Sequence, residues 1–176
     1  MRKSHTWCSA AVLVLLAWLP ALGLAQAKGL IEGSERKDYI ATLQQLHATQ
    51  TAQDALLAQI NLLLKQNALL SGYQVGFSEP QDIVYSLSVQ APGELRIRTQ
   101  LTDTENGRIQ GRLTLLNVFG MGHDFSYDCQ EDRLSCSVRR EDSSAVLLRI
   151  VRNPQAAAEL AQAMSYLVRE MQRSSQ

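Results

Sequence analysis

The chain has 176 residues, 45% of them hydrophobic, and 17 Lys+Arg against 17 Asp+Glu give a formal net charge of zero. That balance excludes a strongly basic nucleic-acid binder, and a mean hydropathy of −0.13 excludes a polytopic membrane protein. Three cysteines are too few for a disulfide-dense scaffold, so length and composition leave one domain or little more.

Arg2 and Lys3 form a short basic start, and positions 8–24 are almost wholly apolar, interrupted by Ser9, Pro20 and Gly23. Ala25-Gln26-Ala27 is a small-x-small triplet ahead of Lys28. This order predicts a secretory signal peptide over 1–27, cleaved after Ala27. An uncleaved N-terminal anchor is the alternative. Removing 1–27 leaves 149 residues with fifteen basic and seventeen acidic side chains, a net charge of −2. The expected location is the periplasm or the exterior, with no stable transmembrane span after cleavage.

Ser34 can cap a helix, with Glu35 in the first turn. Tyr39, Leu43, Leu46, Leu57, Ile60 and Leu64 then recur at helical spacing, and no proline or glycine intervenes before Ser71. The pattern predicts helix over 34–70. Two forms fit it: one long helix, or two helices broken between His47 and Thr51, where Thr51-Ala-Gln-Asp54 reads as a capping box. The second half is the more apolar and is expected to pack on a sheet. Tyr39, Leu43 and Leu46 in the first half form a candidate partner surface, through which a homo-oligomer could also form.

Beyond Ser71-Gly72 the period changes to two. Ile83, Tyr85, Leu87 and Val89 alternate on one strand, and Pro92-Gly93 marks a turn. Leu95, Ile97, Thr99 and Leu101 then share one face, with Arg96, Arg98 and Gln100 on the other. Asn106-Gly107 is a strong hairpin signal, and 108–119 reads as the returning strand. Two further strands flank QEDRLS and carry Cys129 and Cys136. A hairpin centred there places the two cysteines opposite each other, within disulfide reach. An exported chain with an even number of cysteines is expected to pair them. A last strand covers 145–151. Asn153 and Pro154 then open a C-terminal helix, with Leu160, Ala163, Met164, Leu167 and Met171 on one face. The fold expected is α+β: an N-terminal helical region (34–70), an antiparallel meander of five or six strands (73–152), a C-terminal helix (154–173) and one disulfide.

Catalytic signatures are sparse. His47 and His123 are far apart and lack further ligands at metal spacing. No Gly-x-Ser-x-Gly, P-loop, His-Glu-x-x-His or dinucleotide fingerprint occurs. The acids cluster around turns, where solvated carboxylates belong. No enzyme activity, metal or cofactor is expected. Arg96 and Arg98 share a strand face, and Arg108, Arg112, Arg139 and Arg140 lie on neighbouring strands. They form a candidate partner surface, whose sparse aromatics argue against nucleic acid. Met121, His123 and Asp124, in the loop after Gly120, are a candidate probe into a partner.

The order of long helix, meander and late disulfide resembles the globular part of type IV pilins and pseudopilins. The leader lacks their glycine-aromatic junction and glutamate, and this chain ends in a helix. The Tyr127-Asp-Cys129 to Cys136 segment is similar to hairpins of small periplasmic lysozyme inhibitors, over about a tenth of the exported chain. Neither is adopted as a family. The expected role is an exported, non-enzymatic accessory or assembly factor of a bacterial secretion or pilus-type machine, acting through protein contacts in the cell envelope. A periplasmic inhibitor or immunity-type protein and a carrier of an apolar ligand are the alternatives.

Overall fold

The computed structural model describes residues 24–74, 80–129 and 134–174, with side chains from Gly33 onward. The chain divides into two units, Met1–Ser34 and Glu35–Gln176. In the first, the described part is helical backbone from Leu24. The apolar leader with Cys8 lies outside the described residues, and the Ala25–Ala27 triplet lies within helical backbone.

Helix α1 spans Leu24–Leu46 and α2 spans Ala52–Gln66, so the break falls between His47 and Thr51. The helix does not begin at a Ser34 cap; it runs through Ser34. Its end is a Schellman motif: the Thr49 N–H donates to the Gln44 carbonyl and the Ala48 N–H to the Gln45 carbonyl. Ala48 takes the left-handed conformation this requires, at φ 51°. Thr51 then restarts the helix as the capping box predicts. Its hydroxyl accepts from the Asp54 N–H at 3.0 Å and donates to the Asp54 carboxylate at 2.7 Å. Helix α2 stops at Gln66, earlier than expected. Asn67 caps it, donating from its side chain to the Leu63 carbonyl. The Ser71-Gly72 stop lies instead in a short 3₁₀ turn, Ser71–Tyr73.

Six antiparallel strands follow, divided between two meanders. One sheet holds β1 (Gln81–Ala91), β2 (Glu94–Asp103) and β3 (Ile109–Asn117). The other holds β4 (Phe125–Cys129), β5 (Ser135–Arg140) and β6 (Val146–Val151). The β1–β2 turn uses Pro92 and Gly93, whose φ is 77°. The ring of Phe119 lies over Gly93, where a Cβ would sit 2.0 Å from it. The β2–β3 connection is wider than a two-residue hairpin. The Asp103 carboxylate accepts from the N–H groups of Glu105 and Asn106, and only Gly107 of the Asn-Gly pair has positive φ. In the second sheet Cys129 faces Cys136 in register and is bonded to it, with Cα atoms 4.2 Å apart. The Asp132-Arg133 tip lies outside the described residues.

Helix α3 (Pro154–Arg173) starts on the predicted cap, Asn153, which accepts from the Ala156 N–H at 3.2 Å. Leu160, Ala163, Met164, Leu167 and Met171 are all buried, and α3 packs on α2, β4 and β5. Leu56, Ile60 and Leu64 of α2 fill the space against α3 and β1. Asn67 ties three ends together: its carbonyl accepts from Val151 of β6 and its side-chain oxygen from Asn153. One core therefore joins the helices to both sheets.

Candidate functional site

The sequence-predicted surfaces fare differently. Leu43 is buried, and Tyr39 packs edge-on to Tyr166 of α3 with ring centroids 5.6 Å apart. Of the first-helix set, only Leu46 stands free, at 65% exposure. Tyr39 is thus engaged by the chain's own α3, and Leu43 lies in the core. The Met121–Asp124 loop is likewise tied down. Met121 packs on the core and its carbonyl accepts from Gln172. Asp124 pairs with Arg169 at 2.8 Å and lies 3.4 Å from His123. The other histidine, His47, donates from Nε2 to Gln59 at 2.7 Å, and Gln59 donates to Glu159 at 2.6 Å. This partly buried polar chain links the α1–α2 connection to α2 and α3, a structural role that the sequence reading did not assign to Gln59. Among the described residues no group of three or more His, Cys, Asp or Glu could hold a metal, and no helix is long and apolar enough to cross a membrane.

The arginines do not form one face. Residues paired across an antiparallel sheet point to the same side, so the register sorts them. Arg96 pairs with Leu115 and Arg98 with Leu113, on the outer face. Arg112 pairs with Thr99, which pairs with Tyr85, on the inner face toward the second sheet. Arg108 lies at the β2–β3 connection, exposed. Among the described residues none of the four has an ion-pair partner.

The hydrogen-bond phase of the first sheet distinguishes its two edges. The Asp103 N–H donates to the Arg108 carbonyl, and the Val118 N–H donates to the Gly93 carbonyl. Alternation then directs the backbone groups of Gln110, Arg112, Thr114 and Leu116 at β2. Those of Ile109, Gly111, Leu113, Leu115 and Asn117 point away from it. On the opposite edge, the outward groups of Leu87 and the outward N–H of Ile83 are met. Asn61 of α2 accepts from the Leu87 N–H at 2.8 Å and donates to its carbonyl at 3.0 Å, and Ile83 donates to Leu69. Nothing among the described residues pairs with the edge of β3. The side chains beside that edge are apolar and exposed: Ile109 at 64%, Leu113 at 54%, Leu115 at 52% and, just beyond the strand, Phe119 at 47%. Folded proteins ordinarily blunt such edges with lysine, proline, bulges or a covering segment. β3 has no lysine and no proline.

Inside the sheet a cleft of about 470 Å³ opens between the inner face and the β5–β6 turn. Ile83, Leu101, Leu116, Val146 and Leu147 give it apolar walls, and Tyr85, Thr99 and Arg112 form a polar row across its floor. Burial pushes the Tyr85 phenol above its ordinary pKa, partly offset by Arg149 and Arg112. The sequence reading missed this row, although it was readable. Thr99 interrupts an inward series of Leu95, Ile97 and Leu101, and any even-length β2–β3 loop turns Arg112 to that side.

No protein family matches the sequence, and no curated protein or solved structure matches it either.

Proposed function

We propose that the chain is an exported, non-enzymatic accessory protein of a bacterial envelope that takes up an extended strand of a partner protein on the open edge of β3. The observation that carries this reading is the contrast between the edges: Leu87 and Ile83 of β1 are met by Asn61 and Leu69, while among the described residues nothing meets the outward N–H and C=O groups of β3 beside exposed Ile109, Leu113 and Leu115. Strand addition satisfies those backbone groups and covers the apolar side chains in one step. Arg96 and Arg98, one strand in from the edge, favour acidic side chains on the incoming strand. Assembly of a secretion or pilus-type machine is the finer form of this reading, motivated by the leader and the absence of catalytic motifs in the sequence.

Proline at 115 tests it. The Leu115 N–H points away from β2, so Leu115→Pro removes no bond of the β2–β3 ladder but blocks an incoming strand. A photo-crosslinking side chain at position 113 should capture one envelope partner through a strand of that partner, and Leu115→Pro should abolish the capture while the circular dichroism stays unchanged. Capture that persists in the proline variant refutes strand addition. If capture is lost as expected, deletion of the chain should lower surface assembly of the machine that contains the captured partner.

A further inference from the structure

The polar row in the cleft has no role in strand addition, which uses the other side and edge of the same sheet. Arg112 is solvent-accessible at the mouth of the cleft, where its guanidinium is available to an anion beside apolar walls. Here the residues lining the cleft include no aspartate or glutamate. Arg140, the second cation of the lining, is engaged by Asp142 at 2.8 Å. Arg112 has no ion-pair partner among the described residues. The space beside it lies within the range of small-molecule sites, about 300–1,000 Å³. Its polar residues are aligned: Arg112, Thr99 and Tyr85 lie in a single cross-strand row, and all three line the cleft. Apolar side chains flank that row, Ile83 and Leu101 from the first sheet and Ala145, Val146 and Leu147 from the second.

We infer that this cleft binds an amphiphile with a single anionic head and an apolar tail, the head held by Arg112 and the Thr99 and Tyr85 hydroxyls and the tail lying along Ile83, Leu101 and Leu147. A guanidinium holds a carboxylate through two parallel N–H donors, which a neutral head cannot match. The Tyr85 phenol is protonated through the neutral range, as any tyrosine is, and therefore has a proton to donate. Helix α2 covers the Leu87 end of β1, and the register places Ile83 and Leu101 toward the other end, where the cleft stays open.

Three probes with one tail separate head from tail: dodecanoate, dodecanol and dodecyltrimethylammonium, each titrated below its micelle concentration into the full chain. Calorimetry should give one dodecanoate per chain, bound about tenfold or more tightly than dodecanol, the worth of one charge-assisted hydrogen-bonded contact. The cationic probe should bind more weakly still. Methyl resonances of Ile83, Leu101 and Leu147 should shift on binding. Arg112→Gln, at an exposed position that leaves the core untouched, should bring dodecanoate down to the affinity of dodecanol. Ala145→Trp should fill the cleft and abolish binding of all three. Equal affinities for dodecanoate and dodecanol, an unchanged dodecanoate affinity in Arg112→Gln, or methyl shifts confined to other parts of the chain overturn the assignment. None of these outcomes bears on the Leu115→Pro experiment, so the two proposals stand or fall separately.

Discussion

Replacing Tyr39 with phenylalanine should make the protein more stable. The Tyr39 ring packs edge-on to Tyr166, and that contact does not need the hydroxyl. The hydroxyl itself is shielded from solvent and has no hydrogen-bond partner among the described residues. A buried polar group without a partner costs about 1–3 kcal/mol. The Tyr39 side chain as a whole is only half-buried, so the low end applies and Tyr39→Phe should gain about 1 kcal/mol. The same site sets a pH dependence. Burial pushes the Tyr39 phenol well above its ordinary value, and the Glu159 carboxylate and Tyr166 push it further. An unfolded tyrosine loses its proton near pH 10, while the folded one keeps it. Above that pH the folded state binds more protons than the unfolded state, so stability falls as pH rises through the folded pKa. Below pH 10 both states are protonated and the contribution is constant. Tyr39→Phe should therefore raise the urea midpoint at neutral pH without changing the slope, and should flatten the alkaline fall. Tyr85, also raised by burial, keeps part of that fall. A lower midpoint at neutral pH, or an alkaline limb identical to that of the parent, would show that the hydroxyl is satisfied and the reasoning mistaken.

Two further expectations follow from single contacts. Asn61→Ala removes both bonds to the Leu87 backbone at the β1 edge and should cost about 2 kcal/mol in denaturant unfolding; amide exchange at Leu87 should accelerate, and protection equal to the parent's would refute the capping role. Cys129→Ser opens a loop with a sequence separation of 7, for which chain entropy gives about 2.5 kcal/mol; complete loss of folding would show that the bridge does more than close that loop.

Local signals carried the helices. Thr51-x-x-Asp54 and Asn153-Pro154 each place a donor and an acceptor within one turn, so the caps appear at their predicted positions. The α1 terminus was harder to read, because Ala48 occupies a left-handed position that glycine would have marked. The strands were legible from their period of two, but alternation carries no information about which strands share a sheet. The meander divides after β3, near Gly120 and Gly122, and nothing in the alternation of β3 or β4 distinguishes that turn from the others. Tyr39 and Leu43 shared a helical face with Leu46, yet whether such a face meets a partner or the chain's own α3 depends on contacts distant in sequence.

The two proposed surfaces share one strand, and their separation rests on parity. In β3 the odd-numbered residues Ile109, Leu113 and Leu115 point outward, with backbone groups at the open edge, while Arg112 and Thr114 point inward with backbone groups bonded to β2. A strand added at the edge would bond through the first set and leave the side chains of the second facing the cleft. A one-residue slip between β2 and β3 would exchange the sets, exposing Leu116 and placing Arg112 beside Arg96 and Arg98. The observed register avoids that clustering of cations and keeps Leu116 on the cleft side. Electrostatics and apolar burial therefore select the same alignment, and that alignment gives β3 an apolar outer stripe for a protein strand and a lone inward cation for an anionic head.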